Sequence, residues 1–337
     1  MPRSAWGSRW SARWFSVDAA NFPRQGGGDG GYYNYPVVRR PVWTWEVPAY
    51  FWLGGMAAGA YVTAALAQNF GSADDRRVAA GGYYVAAAAL VPCAPLLIAD
   101  LGRPDRFYHM LRIFKPLSPM NLGAWTLTAL TPIAFARAAS HAASTGLLRG
   151  PLGTLARLVP TRLAELAGVV LGLTLAGYSG VLLAATNIPL WAKSKLLGGL
   201  FMASGLASGS AAVTLQAAWR GAPDGSLHRL AMVESAASAG EMAILTGYLL
   251  QSGKTARPLT SGRLRAPFWL GAVGAGTLLP LLVHRMAGRR QGRPLRILSS
   301  AAALCTIAGS LALRWTIFEA GKVSSEDQAA SFELSSE

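Results

Sequence analysis

Asp100-Leu-Gly-Arg-Pro-Asp-Arg-Phe-Tyr-His-Met-Leu-Arg-Ile-Phe-Lys-Pro-Leu-Ser-Pro-Met-Asn121 is a dense basic loop between two apolar runs, at 78–100 and 120–140. Each run is near the length, about twenty residues, at which an α-helix crosses the hydrocarbon of a bilayer. The loop therefore lies where membrane helices end. Its carboxylates and guanidiniums mark a built site at a membrane surface rather than a plain connection. Working outward, six more apolar runs of similar length stand at 45–69, 163–186, 195–219, 229–251, 267–287 and 296–318. The expected fold is an all-α polytopic membrane protein with eight transmembrane helices, arranged as two four-helix bundles. An even number of spans puts both ends on the side of the loop, here the motif face.

Composition points the same way. Hydrophobic residues make up 52% of the chain and charged residues 14%, against about a quarter charged in soluble domains. The net charge is +15, from 31 Lys and Arg against 16 Asp and Glu. The basic residues fall in loops, so anionic lipid headgroups and a docking subunit account for them and nucleic acid is not expected. Lys and Arg are similar in number on the two sides, so the positive-inside rule does not orient the chain. The cysteines, Cys93 and Cys305, lie inside apolar runs. Two thiols are too few for an iron–sulfur cluster, and no Cys-x-x-Cys exists. His109, His141, His228 and His284 fall in loops or near helix ends, so neither haem nor metal is expected in this chain. Hydrolase, Walker and dinucleotide fingerprints are absent.

Three regions follow. Residues 1–44 form a basic, aromatic extension without the apolar stretch of a cleavable signal. Trp6, Trp10 and Trp14, with Arg9 and Arg13, would make one stripe on an amphipathic helix, or belong to an unstructured tail. Gly26 to Gly31 is a break, and Pro36 and Pro41 favour extended backbone around them. Residues 45–318 form the membrane domain, and 319–337 an acidic, flexible tail. The fourth to sixth runs are rich in Gly, Ala, Ser and Thr, which predicts interior helices; Gly55 and Gly59 form a small-xxx-small pair in the first.

The chemistry gathers at the motif face. Glu46 opens the first span and either caps it or handles protons. Asp100 closes the second, where it either pairs with Arg103 or Arg106 or touches a ligand. Tyr178 lies about two turns below the end of the fourth span, as a packed ring or a hydrogen-bond donor. Tyr50 is one turn inside the first span, and His109 sits in the loop. Arg314 is placed about one turn inside the eighth span. Trp43, Trp45 and Trp191 are expected as interfacial anchors. Glu234 and Glu241 share one face of the sixth span, as a polar path from the far side or as hydrogen-bonded structural carboxylates.

The chain resembles the NrfD/PsrC family of quinone-interacting membrane subunits over about residues 43–318. The likeness is carried by Tyr50-Phe-Trp-Leu-Gly-Gly-Met-Ala-Ala-Gly-Ala60, Asp100-Leu-Gly-Arg-Pro-Asp-Arg-Phe107, Phe114-Lys-Pro-Leu-Ser-Pro-Met120 and Ala185-Thr-Asn-Ile-Pro-Leu-Trp191. The resemblance implies an anchor in a bacterial cytoplasmic membrane, binding menaquinone or ubiquinone and holding no metal. A ferredoxin-like iron–sulfur subunit would dock on the motif face through Arg103, Arg106, Arg112 and Lys115. A molybdopterin subunit, formate-dehydrogenase-like in the subgroup suggested by Trp43-Thr-Trp-Glu46, would lie beyond it. The quinone residues would be Glu46, Tyr50, Asp100, His109 and Tyr178, although the family pattern has Asn and His where this chain has Trp43 and Glu46. Two alternatives stand beside this reading: an anchor without quinone chemistry, and a secondary transporter built on helices broken at Pro92, Pro95 or Pro280.

Overall fold

The computed structural model describes residues 41–326. The tryptophan stripe, the glycine break and most of the acidic tail lie outside those residues. Among the described residues every regular element is helical. In order they are α1 (Glu46–Phe70), α2 (Ala73–Leu90), α3 (Cys93–Ala99), α4 (Pro119–Ser144), α5 (Gly150–Arg157), α6 (Thr161–Ala184), α7 (Leu197–Trp219) and α8 (Asp224–Ser252). A π-helix (Pro267–Leu278) runs on into α9 (Leu279–Ala287), and α10 (Gly292–Ser324) follows. Short turns of helix connect them.

Proline chemistry explains the two composite rods. Pro92 has no N–H to continue α2, so the ladder is interrupted at Val91–Pro92 before α3 resumes. Pro280 stands at the start of α9, where the wider π register returns to α. Six rods are long and apolar enough to cross a membrane: Glu46–Phe70, Ala73–Ala99, Thr161–Ala184, Leu197–Trp219, Pro267–Ala287 and Gly292–Ser324. α4 and α8 match them in length but are more polar, α4 carrying Arg137 and His141 and α8 carrying Glu234 and Glu241.

α1 and α7 lie at the centre. Within their apolar stretches 72% and 78% of residues are buried, against 44% in α6. Of the three small-residue spans, then, only α7 is enclosed all round. α6 presents Gly168, Gly172 and Gly180 inward and leaves Leu163, Leu166 and Val170 exposed. A stripe of small residues sets how closely one face approaches a neighbour; it does not bury the other faces. The α1–α7 crossing shows the stripe at work. A methyl group on Gly59 would overlap the Gly205 carbonyl, and one on Gly209 would overlap the Gly59 backbone. α1 also packs on α2 and α6, and α4 closes against α2 and α6. α7 packs on α8 and α10, and the π-helix lies along α10, where Gly276 meets Gly309.

The start of α1 and the end of α10 meet on one face. Trp43 stacks on Trp191 at 6.1 Å and on Phe318 at 6.5 Å. Trp191, expected as an interfacial anchor, is wholly buried instead. Its indole N–H donates to the Ile317 carbonyl at 2.9 Å, and the bare Gly321 makes room for its ring. The reason is the length of α10, which continues past the expected end at 318 to Ser324 and gives Trp191 something to pack under. The same extension places Arg314 about 15 Å from the helix end rather than one turn.

Candidate binding site beneath the basic loop

At the motif face a cavity of about 300 Å³ opens between the first turns of α1, the end of α3, the start of α4 and the upper part of α6. Val47, Phe51, Leu97, Met120 and Leu182 give it apolar walls, and Trp43 closes one side. Its polar atoms come from Tyr50, Tyr178 and Asp100. The Tyr178 hydroxyl donates to that of Tyr50 at 2.9 Å, and both rings are nearly buried. Gly123 on α4 fixes the ring of Tyr178, since a methyl group there would occupy the ring's own space.

Asp100 caps α3 and is held by Thr44, whose backbone N–H donates to Oδ1 at 3.3 Å and whose hydroxyl donates to the same oxygen at 3.1 Å. The expected pairing of Asp100 with Arg103 or Arg106 does not form: Arg106 turns to Asp105 at 3.9 Å. The segment entering α1 crosses beside Asp100 and satisfies the carboxylate before the loop can. The Thr44 hydroxyl also bonds Glu46, so two carboxylates share one hydroxyl. Burial first, and then repulsion from Glu46, pushes the Asp100 carboxyl above its ordinary value, against the hydrogen bonds of Thr44. Glu46 stands in the first turn of α1, where a carboxylate also suits the helix dipole. Of the five residues expected together, Tyr50, Asp100 and Tyr178 line the cavity and Glu46 adjoins it through Thr44. His109 does not line it; it is exposed on a 3-10 helix (Pro104–Leu111), its ring 4.5 Å from that of Tyr108.

The loop over the cavity is ordered by one side chain. Asn121 accepts from Lys115 N–H at 2.6 Å and donates to the carbonyls of Met110 at 2.8 Å and Ile113 at 3.1 Å. Arg103, Arg106, Arg112 and Lys115 are all exposed, as are Phe107, Ile113 and Leu117. A surface that shows cations and large apolar groups together is suited to a partner rather than to water alone.

Glu234 and Glu241 both face the interior, at 0% and 6% exposure. Thr306 donates to Glu234 at 2.7 Å, and His284 Nε2 lies 3.2 Å from the same carboxylate. Glu241 faces the buried Arg314. Arg314 donates to Ser204 at 3.0 Å and to the Phe201 carbonyl at 2.9 Å, with its guanidinium over the Phe201 ring at 5.2 Å. Phe201 in turn packs on Phe51, which lines the cavity. Glu241 and Arg314 thus influence each other electrostatically, and Arg314 meets the cavity through two aromatic rings.

A family model described as polysulphide reductase, NrfD, matches residues 35–325. The chain belongs to the NrfD family. It is 30% identical to the C chain of polysulfide reductase from Wolinella succinogenes over 303 residues, covering 83% of this protein and 94% of that one. It is 26% identical to Protein NrfD of Escherichia coli K12 over 312 residues, covering 84% and 95%. With six helices apolar enough to cross a bilayer, this NrfD member is an integral membrane protein.

Sequence reasoning missed Thr44 and Gly123 beside the cavity and His284 beside Glu234. Thr44 carried no signal beyond a hydroxyl two residues before Glu46. His284 sits near the end of its apolar run, and only the neighbouring α8 reveals its carboxylate partner. Gly123 looked like an ordinary small residue until the Tyr178 ring filled its missing side chain.

Proposed function

We propose that this protein is the quinone-interacting membrane subunit of a bacterial redox complex, exchanging electrons between quinone and a docked ferredoxin-like iron–sulfur subunit. The observation that carries the reading is the cavity: a greasy slot with the Tyr50–Tyr178 hydroxyl pair and Asp100 in its lining, beneath an exposed basic loop. A quinone needs that combination, apolar walls for its ring and tail and donors at its oxygens. The lining fits a quinone headgroup as substrate, whether menaquinone or ubiquinone. The Wolinella relative is by name part of a polysulfide reductase, and the setting of a membrane subunit within a reductase is extended here to this protein.

In this reading all eight rods span the bacterial cytoplasmic membrane as two four-helix halves, α1–α4 with α6 and α7–α10, with α4 and α8 sheltered by packing. Tyr178 donates to a quinone oxygen, with the hydrogen bond of the pair reversed so that the Tyr50 hydroxyl donates to Tyr178 and holds it in line. Two-electron reduction of a quinone consumes two protons, and Asp100 with Glu46 is the nearest pair able to hold and release them. Glu241 and Glu234 form a second polar route from the far side. The basic loop receives the iron–sulfur subunit through Arg103, Arg106, Arg112 and Lys115, and a molybdopterin enzyme subunit stands beyond that partner. Metal carriers of the electrons reside in those partners.

Solvent extraction of the detergent-purified protein tests the reading. About one quinone per molecule is expected, with most of it lost from Tyr178→Phe and Glu46→Gln variants that still fold. A protein that carries no quinone and binds none, yet still captures its iron–sulfur partner, would be an anchor alone.

A further inference from the structure

A second polar cavity, of about 500 Å³, lies at the opposite end of the helices from Tyr178. The last turn of α1 contributes Asn69, the start of α2 Arg76, the end of α4 Arg137 and His141, and the start of α6 Arg162 and Glu165. Its floor is built. Arg137 and Glu165 form an ion pair with side chains 8% and 9% exposed. Asn69 and Tyr83 donate to Glu165 at 3.1 and 3.3 Å, and the Arg137 guanidinium lies 4.5 Å over the Tyr83 ring.

The floor leaves charge over. Three guanidiniums line the cavity against one carboxylate, and that carboxylate is already occupied by Arg137, Asn69 and Tyr83. Arg137 is 7% exposed, yet its Nε–H has no acceptor among the described residues. Arg76 and Arg162 make no ion pair with any described residue and stand exposed among the lining residues. Guanidiniums in this arrangement match the oxygens of a phosphate group.

The surroundings are apolar in a way that water does not favour. α5 leads into the Arg162 wall, and Leu152 and Leu155 along it and Leu158 just past its end are 65–74% exposed. Leu163 and Leu166 on α6 are exposed as well. A short helix that shows leucines beside a cluster of arginines fits the boundary between headgroups and acyl chains.

We infer that this far-face cavity binds a phosphate-bearing anion, the headgroup of an anionic phospholipid whose acyl tails lie along α5 and the start of α6. A free phosphate would satisfy the same guanidiniums but would make no use of the leucines. The site is separate from the quinone cavity and does not depend on the function proposed for it.

The full-length protein, delipidated in detergent, is the test material. Dioleoylphosphatidylglycerol, dioleoylphosphatidylcholine and inorganic phosphate are added separately, and binding is followed by native mass spectrometry and melting temperature. Phosphatidylglycerol alone should bind and stabilise. The double variant Arg76→Gln, Arg162→Gln changes only exposed side chains and should weaken that binding about tenfold or more. Arg137→Lys, which keeps the charge beside Glu165, serves as a folded control with weaker binding. Phosphate competing fully with the lipid would support the anion site with free phosphate as its ligand. Equal binding of phosphatidylcholine, or phosphatidylglycerol binding unchanged in the double variant, would overturn the inference.

Discussion

The Tyr50–Tyr178 pair makes the sharpest test of the cavity, because the two hydroxyls are expected to play unequal parts. They are 2.9 Å apart and nearly buried. Tyr178→Phe leaves the Tyr50 hydroxyl without its partner, and an orphaned buried hydroxyl costs about 1–3 kcal/mol. Removing both hydroxyls leaves no orphan, so the double variant Tyr50→Phe, Tyr178→Phe should be more stable than the sum of the singles by about 1 kcal/mol. Ligand binding separates the roles further. Losing one neutral hydrogen bond to a quinone oxygen, worth about 1 kcal/mol, should weaken a short-tailed quinone about fivefold in Tyr178→Phe. Tyr50 acts by holding Tyr178 in line, so Tyr50→Phe should cost less, about twofold. The double variant should then bind no worse than Tyr178→Phe alone. Calorimetric titration of the full-length protein in lipid nanodiscs, paired with thermal melts, reads both quantities. Independent losses that multiply in the double variant would refute the unequal roles. Unchanged affinity in Tyr178→Phe would remove the tyrosine from quinone binding altogether.

Arg106→Glu places a carboxylate on the exposed loop beside Asp105 and should release the iron–sulfur partner in pull-down while leaving the melting temperature of the isolated protein unchanged; full complex yield would reduce the loop to a lid on the bundle. Glu241→Gln should slow quinone turnover and leave assembly intact, and normal turnover with unchanged charge movement would mark Glu241 and Glu234 as structural contacts. Asp100 gives a pH signature. Its carboxyl is raised by burial and by Glu46, so its contribution to stability is full below about pH 4, the ordinary carboxylate value, and is lost as pH rises through the raised value. Asp100→Asn, neutral throughout, should therefore gain in melting temperature relative to the parent protein as pH rises toward neutrality; a difference that does not vary with pH would contradict this.

Much of the membrane domain was legible because hydrocarbon thickness leaves few choices of helix length. The first expected run, 45–69, is α1 shifted by one residue, and the fifth, 195–219, differs from α7 only at its start. The second began late at 78, since the charged first turn Asp74-Asp-Arg-Arg77 hides the helix start. Ser72 and Asp75 cap each other there, and Arg229 of α8 grips Asp75 at 2.7 Å. Tyr50, Asp100 and Tyr178 could be brought together in advance because rise per residue converts sequence position into depth along a helix. His109 could not be placed that way. It sits in a loop, where direction depends on turns such as the one Asn121 pins. His284 and Thr44 were hidden for a related reason: their meaning lies in a partner on another element.

The pinning by Asn121 joins two things usually thought of apart. Asn121 holds the loop to the first turn of α4; its neighbour Met120 lines the cavity beneath the loop; and Gly123, on the same turn, is moulded to the Tyr178 ring. The basic loop and the cavity wall thus meet at one turn of α4. In the proposed function, a subunit that grips this loop would also act on the cavity wall. Thermodynamic linkage then runs in both directions: whatever factor docking adds to the hold on quinone, quinone must add to the hold on the docked subunit. If docking of the proposed partner strengthens the hold on quinone, an occupied slot must strengthen the hold on that partner by the same factor, through the same few residues of α4.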